Sequence, residues 1–510
     1  MPNHLFDALF APQAGRDDPF LHLPDGGALS CRDFDALSAR LANALIAADL
    51  RPGDRLAAQI AKTPAALALY AACIRAGIVF LPLNTAYTDA ELAYFIENSG
   101  ARMVVCDPSR RDGIRAVTQE TGPRIETVDA DGRGSLLDAA AGCPDRQDPV
   151  ARGADDLAAF LYTSGTTGRS KGAMLTHANL VSNARTLAEH WRFSRDDVLL
   201  HALPIFHTHG LFVATNVTLA AGGSMIFLPG FDLDAIVRHL PRATTMMGVP
   251  TFYTRMLDDD RVTRDLVANM RLFVSGSAPL LAETHAAFEA RTGHRILERY
   301  GMTETNMITS NPYEGERRAG TVGFPLPGVE IRIADPETGA SVPEGEIGQI
   351  EVRGPNVFAG YWQMPEKTAA ELRTDGFFVT GDLASRDADG YVSIVGRGKD
   401  LVISGGYNVY PKEIELVLDA QPGVRESAVI GVPHPDLGET PVGVLVPRCD
   451  TGPDLDRIQA ALRETLAGYK RPRALVVIDE LPRNTMGKVQ KNALRERYRD
   501  LFADAPARPD

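Results

Sequence analysis

Three glycines, a run of Ser and Thr hydroxyls, an arginine and a lysine fall within residues 162–172, which read Tyr-Thr-Ser-Gly-Thr-Thr-Gly-Arg-Ser-Lys-Gly. Those residue types suit a phosphate. Gly165 and Gly168 let backbone N–H groups approach phosphate oxygens, while Thr163, Ser164, Thr166 and Thr167 add hydroxyl donors. Lys171 can neutralise charge as it develops. The spacing is not that of a Walker A loop, because no Gly-Lys-Ser/Thr follows a glycine after four residues, so a nucleotide site of another kind is expected. On composition alone the stretch also suits a flexible surface loop.

Regular elements must hold such a loop in place. Residues 157–161 read as a buried strand leading into it, and a capped helix is expected over 176–191. Upstream, helical periodicity over 32–50 and 64–76 alternates with strand-like runs at 55–60 and 77–81, followed by a helix at 89–98 and a strand at 103–106. Apolar segments at 198–203, 224–228, 244–249 and 272–275 continue the rhythm. Strands alternating with helices imply an α/β fold with parallel-rich sheets covered on both faces. From residue 320 to about 397 the pattern changes to short alternating strands separated by Gly, Pro and Asp, which reads as an antiparallel or barrel-like subdomain. Beyond Arg397-Gly-Lys-Asp400 a second, small α+β unit runs to about 502, with a tail over 503–510.

Composition narrows the function. The chain has 510 residues, 44% hydrophobic and 23% charged, with a formal net charge of −13. That charge argues against an extended nucleic-acid surface, and no apolar run reaches membrane-spanning length, so neither nucleic acid nor membrane is expected as a partner. The N-terminus lacks a basic flank and an apolar core of signal-peptide type, which makes the cytoplasm the expected location. The five cysteines show no metal-ligand spacing.

Further motifs follow in order: Tyr300-Gly-Met-Thr-Glu304, Thr380-Gly-Asp382, Gly396-Arg-Gly-Lys-Asp400 and Pro482-Arg-Asn-Thr-Met-Gly-Lys488. With residues 162–172 they resemble the adenylate-forming superfamily of acyl- and aryl-CoA synthetases, luciferases and peptide-synthetase adenylation domains. Within it the sequence is most similar to malonyl-CoA synthetases, through Pro204-Ile-Phe-His-Thr-His-Gly210 and Leu297-Glu-Arg-Tyr-Gly-Met-Thr-Glu-Thr305. The resemblance implies a nucleotide-binding domain over 1–397, a hinge at 398–400 and a mobile C-terminal lid over 401–502. It implies ATP and Mg²⁺ as cofactors, coenzyme A as co-substrate, and two half-reactions: carboxylate attack on the α-phosphate with loss of pyrophosphate, then thiol attack on the acyl-adenylate.

The same resemblance assigns residues. The loop from Thr163 to Lys171 would wrap the β- and γ-phosphates, Glu304 would help hold Mg²⁺, and Thr303 would bond the α-phosphate. Tyr300 would stack on adenine, with Gly276, Ser277 and Ala278 on its other face and Glu298 nearby. Asp382, read as lying in a turn after Phe377-Phe378-Val379, would accept both ribose hydroxyls, supported by Arg397. Lys488 would serve adenylation only, and Lys399 would be the hinge position. Gly405, Gly406, Lys470 and Arg471 would meet coenzyme A. Outside the resemblance, Lys488 is also compatible with a solvated face.

A dicarboxylic acid would bring a second negative charge into the acyl pocket, which demands a cation there. Arg299 is the candidate, with a salt bridge to Glu298 or another acid as its alternative role. His207 would donate to the substrate, or serve as a core histidine; Ser277 and Met307 would close the pocket. Malonate is the expected acid, methylmalonate a poorer one, and another small carboxylic acid the alternative. Lys488 would also be open to a lysine acetyltransferase and deacetylase, since acetylation removes its charge.

Overall fold

The computed structural model describes residues 2–118, 122–163, 170–404, 407–435, 437–449, 452–484 and 487–503. Packing divides the chain into two units: Met1–Glu330 with Val352–Phe378, and Ile331–Glu351 with Val379–Asp510.

Two sheets build the first unit. In one, the strands Leu157–Thr163, Val79–Pro82, Arg55–Gln59, Met103–Cys106 and Arg124–Thr127 run parallel in that order. On its other side Leu157–Thr163 pairs antiparallel with Lys171–Thr176, which then pairs with Gly360–Tyr361. In the other sheet, Pro19–His22, Ser224–Phe227, Val198–His201, Thr245–Gly248, Leu272–Ser275 and Leu297–Met302 are successive parallel neighbours. Antiparallel strands Asn306–Ser310 and Phe324–Pro325 close one end, and Ala28–Ser30 the other.

Local signals explain most of these elements. Thr63 caps the helix Pro64–Ala76 with proline at its first turn, and Gly77, at φ 70°, ends it in the left-handed conformation. That cap moves the next strand to Val79–Pro82, two residues later than its expected start. The expected helix at 176–191 is His177–His190, opened by a capping box of Thr176 with Asn179. Residues 171–176, which the expected elements left without a strand, form one because they pair antiparallel with the buried strand Leu157–Thr163.

The second unit holds a sheet of Glu330–Ala334, Gly348–Arg353, Phe378–Arg386 and Val392–Arg397, whose first and third strands begin at the unit boundary. It also holds a sheet built on the long hairpin Val424–His434 and Gly438–Pro447. Asp382 does not lie in a turn as expected: it sits within the strand Phe378–Arg386, opposite Arg397. Gly381, at φ 74°, and a register shift between Leu383 and Ala384 give that strand its turn-like sequence. The division by packing also differs from the expected boundary at 397. Val392–Arg397 pairs with Phe378–Arg386 and runs directly into the 3₁₀ turn Gly398–Asp400, where Arg495 binds Asp400 at 2.7 Å, so residues 398–400 lie inside the second unit. Among the described residues no helix is long and apolar enough to cross a membrane.

Candidate active site

Three groups of candidate side chains emerge, two in the first unit and one in the second.

The first surrounds the paired strands Leu157–Thr163 and Lys171–Thr176. Thr163 and Lys171 are cross-strand partners; Ser164, Gly165, Thr166, Thr167 and Gly168 lie outside the described residues. Gly172 follows where a Cβ would stand 3.3 Å from the Phe160 ring and 3.4 Å from Trp362, so the strand packs without a side chain there. Glu304 is 4% exposed and its Oε1 accepts from the Thr163 hydroxyl at 3.3 Å. The Tyr361 hydroxyl lies 3.1 Å from the same oxygen. Glu304 and Thr303 sit in the tight connection between Leu297–Met302 and Asn306–Ser310. Asn306 adopts φ 50° there, and a Cβ on Gly301 would fall 2.1 Å from the Asn306 carbonyl oxygen, so this hairpin requires glycine.

The second group lies at the C-terminal ends of the parallel strands of the larger sheet, where open α/β sheets form ligand sites. Arg299 is 3% exposed, and its Nε and Nη2 have no hydrogen-bond partner. The expected alternative, a salt bridge to Glu298, is not formed: Glu298 instead accepts the Leu280 N–H at 3.0 Å and ties down the loop carrying Gly276, Ser277 and Ala278. Burial pushes the Arg299 guanidinium down to about 9, with the Tyr253 and Glu298 charges opposing. A Cβ at Gly276 would stand 2.4 Å from Arg299 Cζ, so glycine leaves the space that the guanidinium fills. Ser277 is held at φ 71°, a strained conformation for a residue with a side chain, and its Oγ lies 3.2 Å from His209 Nδ1.

His209 is thus the histidine that the structure brings to Ser277. It is fully buried, its Nε2 has no hydrogen-bond partner, and burial together with the Arg299 charge holds it well below its ordinary pKa, so it is neutral. The expected His207 is only partly buried, and its Nδ1 accepts the His209 N–H at 3.2 Å. His209 opens a π-helical segment, His209–Thr215, of a kind common at functional sites. Its motif made it visible beside His207, but the sequence carries no signal for which ring turns inward. Met307 is buried opposite Gly301, and Tyr300 pairs with Thr309 in the same hairpin.

The third group belongs to the second unit. Arg397 Nε lies 2.9 Å from Asp382 Oδ1. Lys488 belongs to the same cluster. The residue as a whole is solvent-exposed, yet its ammonium is crowded: burial pushes its pKa down to about 8, with Arg397 and Lys399 adding and Asp382 and Asp400 opposing. The Asn484 side chain accepts the Lys488 N–H at 2.9 Å and fixes the turn that presents the lysine. Of the residues expected to meet coenzyme A, Gly405 and Gly406 lie outside the described residues. Lys470 is ion-paired with Glu413, and Arg471 donates to the carbonyls of Leu466 and Arg463 at the end of a helix, so both have structural tasks.

The AMP-binding enzyme family matches residues 10–362, and the AMP-binding enzyme C-terminal domain matches 413–488. The chain therefore belongs to the AMP-binding enzyme family, within the adenylate-forming superfamily, and is an AMP-forming acid–thiol ligase. Among solved structures it is similar to ATP-bound MatB from Rhodopseudomonas palustris, with 58% identity, a TM-score of 0.96 and coverage of 98% of this chain and 100% of that one. Among curated proteins it is 39% identical to a feruloyl-CoA synthase from Amycolatopsis sp, over 93% of this chain and 94% of that protein. It is 36% identical to a malonate–CoA ligase from Arabidopsis thaliana, over 82% and 74% respectively.

Proposed function

We propose that the chain joins malonate to coenzyme A using ATP, through malonyl-AMP, giving malonyl-CoA, AMP and pyrophosphate, in the cytoplasm. The observation that carries the choice of acid is Arg299, a buried guanidinium with two nitrogens lacking a partner. A buried cation in that state is costly, and a carboxylate that accepts from its fork removes the cost. His209 and Ser277, joined to each other at 3.2 Å, line the same strand ends and can orient the acid. The Arabidopsis malonate–CoA ligase among the relatives supports the same reading.

The remaining roles follow the chemistry of adenylation. A carboxylate oxygen attacks the α-phosphorus, the bond to pyrophosphate breaks, and cations must offset the charge that gathers. Lys171 is suited to the β- and γ-phosphates and Lys488 to the α-phosphate, with Asp382 and Arg397 at the ribose. The donor set fits magnesium: Glu304 supplies one buried carboxylate, a hard oxygen donor. Magnesium bound through one carboxylate and substrate phosphates has that ligand pattern, and there it would offset charge on the departing pyrophosphate. In the second half-reaction the coenzyme A sulfur attacks the acyl carbon and AMP leaves. Gly398–Asp400, with Lys399, is the proposed hinge between the half-reactions. Lys488, partly deprotonated near pH 8, is a suitable amine for an acetyltransferase.

A ligase for an aromatic acid is the second reading, favoured by the feruloyl-CoA synthase relative. Pyrophosphate release across acetate, propionate, malonate, methylmalonate, succinate and ferulate separates the two. Malonate should give the highest kcat/KM and methylmalonate a lower one; equal rates, or a preference for ferulate, would end the malonate reading.

A further inference from the structure

Tyr361 and Glu371 belong to none of the recognised motifs, yet they join the two charged groups of the phosphate site. Tyr361 lies on the short strand Gly360–Tyr361, which pairs with Lys171–Thr176, and Glu371 ends the helix Pro365–Glu371 that follows. The Tyr361 hydroxyl is 2.7 Å from Glu371 Oε2 and 3.1 Å from Glu304 Oε1. A phenol has one proton to donate, and the shorter contact is with Glu371. Lys171 Nζ stands 3.5 Å from the same Glu371 oxygen and 4.2 Å above the Tyr361 ring. Lys367, one helical turn earlier, pairs with the other Glu371 oxygen at 2.7 Å. Burial pushes the Glu371 carboxyl up, but hydrogen bonds from Lys367 and Tyr361 and the Lys171 charge outweigh it, leaving a carboxylate at neutral pH.

Lys171 therefore has a protein anion as its partner at the place where the nucleotide reading needs it on phosphate oxygens. We propose that Glu371 is a positioning residue for the ligase reaction: it holds Lys171 in an ion pair that the nucleotide polyphosphate must displace. ATP binding then exchanges one anion for another at a single ammonium. Lys367 remains to neutralise Glu371 after Lys171 leaves, with Tyr361 still donating a hydrogen bond to it, and Glu371 takes Lys171 back as pyrophosphate departs. The inference rests on the reading of Lys171 as the phosphate lysine.

The test is calorimetric titration of the full chain with Mg·ATP, without acid or coenzyme A so that no turnover occurs. Removing the competing charge in Glu371→Gln should tighten ATP about two- to fivefold, the scale of a partly exposed ion pair. Pyrophosphate should become a correspondingly stronger product inhibitor, and KM for ATP should fall without a matching rise in kcat. Lys171→Ala should weaken ATP binding, and in that background Glu371→Gln should give no gain. A fold defect alone would lower the unfolding temperature without tightening ATP. If Glu371→Gln does not fold, Glu371→Asp, whose carboxylate is one methylene further from Lys171, should shift affinity in the same direction.

Unchanged or weaker ATP binding in Glu371→Gln, with Lys171→Ala still weakening it, overturns the proposal. A gain that persists without Lys171 also overturns it, because Glu371 would then act as a general negative charge. No effect of Lys171→Ala removes the phosphate reading itself, and the inference falls with it.

Discussion

Arg299→Met should move stability and malonate use in opposite directions. The substitution keeps a long side chain against Gly276 while removing a guanidinium that is 3% exposed and lacks partners at Nε and Nη2. Replacing a poorly compensated buried charge with an apolar group stabilises by about 1–4 kcal/mol, so the variant should unfold at a higher temperature than the wild type. Removing one member of a buried charge pair costs about 2–5 kcal/mol, roughly 30-fold to several-thousandfold in kcat/KM, so malonate use should collapse by that factor. Propionate has no second carboxylate and should lose little. The sign of the pH effect follows from burial, which leaves Arg299 with a pKa of about 9 in the folded protein, well below the ordinary guanidinium value. Between those values the unfolded chain binds more protons, so the wild type's handicap is full below about pH 9 and shrinks as pH rises through it. Scanning calorimetry with and without malonate, beside initial rates of pyrophosphate release, reads all three effects. Malonate should raise the wild-type unfolding temperature and leave that of the variant unmoved. Equal losses for malonate and propionate, or a variant that unfolds earlier, would refute the assignment of Arg299 to the acid.

Lys488→Ala should abolish adenylate formation while thioester formation from supplied malonyl-AMP survives, and equal loss of both half-reactions would contradict that division. Because Lys488 has a pKa near 8, wild-type adenylation should decline as pH rises through that value, and Lys488→Arg should remove that limb of the rate profile. Lys399→Pro should spare adenylation and slow thioester formation, measured by single-turnover release of AMP; loss confined to the first half-reaction would exclude the hinge role.

The α/β rhythm was legible wherever local signals and burial agree. The helix Pro64–Ala76 has its Thr63 cap, its proline and its closing glycine all in sequence. The strand Lys171–Thr176 was not legible, because its identity depends on the strand with which it pairs. Asp382 and Arg397 could each be picked from motifs, but their pairing is a property of strand register. The same limit applies to Tyr361 and Glu371. Tyr361 stands 57 residues after the carboxylate it contacts, and Glu371 marks only the end of a short helix. Motif reading finds side chains that must meet a ligand, while those that meet one another across the fold need the fold.

With Arg299 in the proposed acid pocket, its stability cost would bear on how that pocket discriminates between acids. A favourable contact with malonate alone would leave propionate and benzoate free to bind through their apolar parts. An uncompensated guanidinium changes that comparison: an apolar acid would bury the charge further without neutralising it, whereas a second carboxylate cancels it. Under the malonate reading, selectivity would come from a penalty on the wrong acids as much as from attraction for the right one. Gly276 is part of the same device, since a Cβ there would lie 2.4 Å from Arg299 Cζ and displace the guanidinium. Gly276→Ala should therefore weaken malonate selectivity without removing any charge, and a variant that kept full selectivity would show that the position of the guanidinium is not what discriminates.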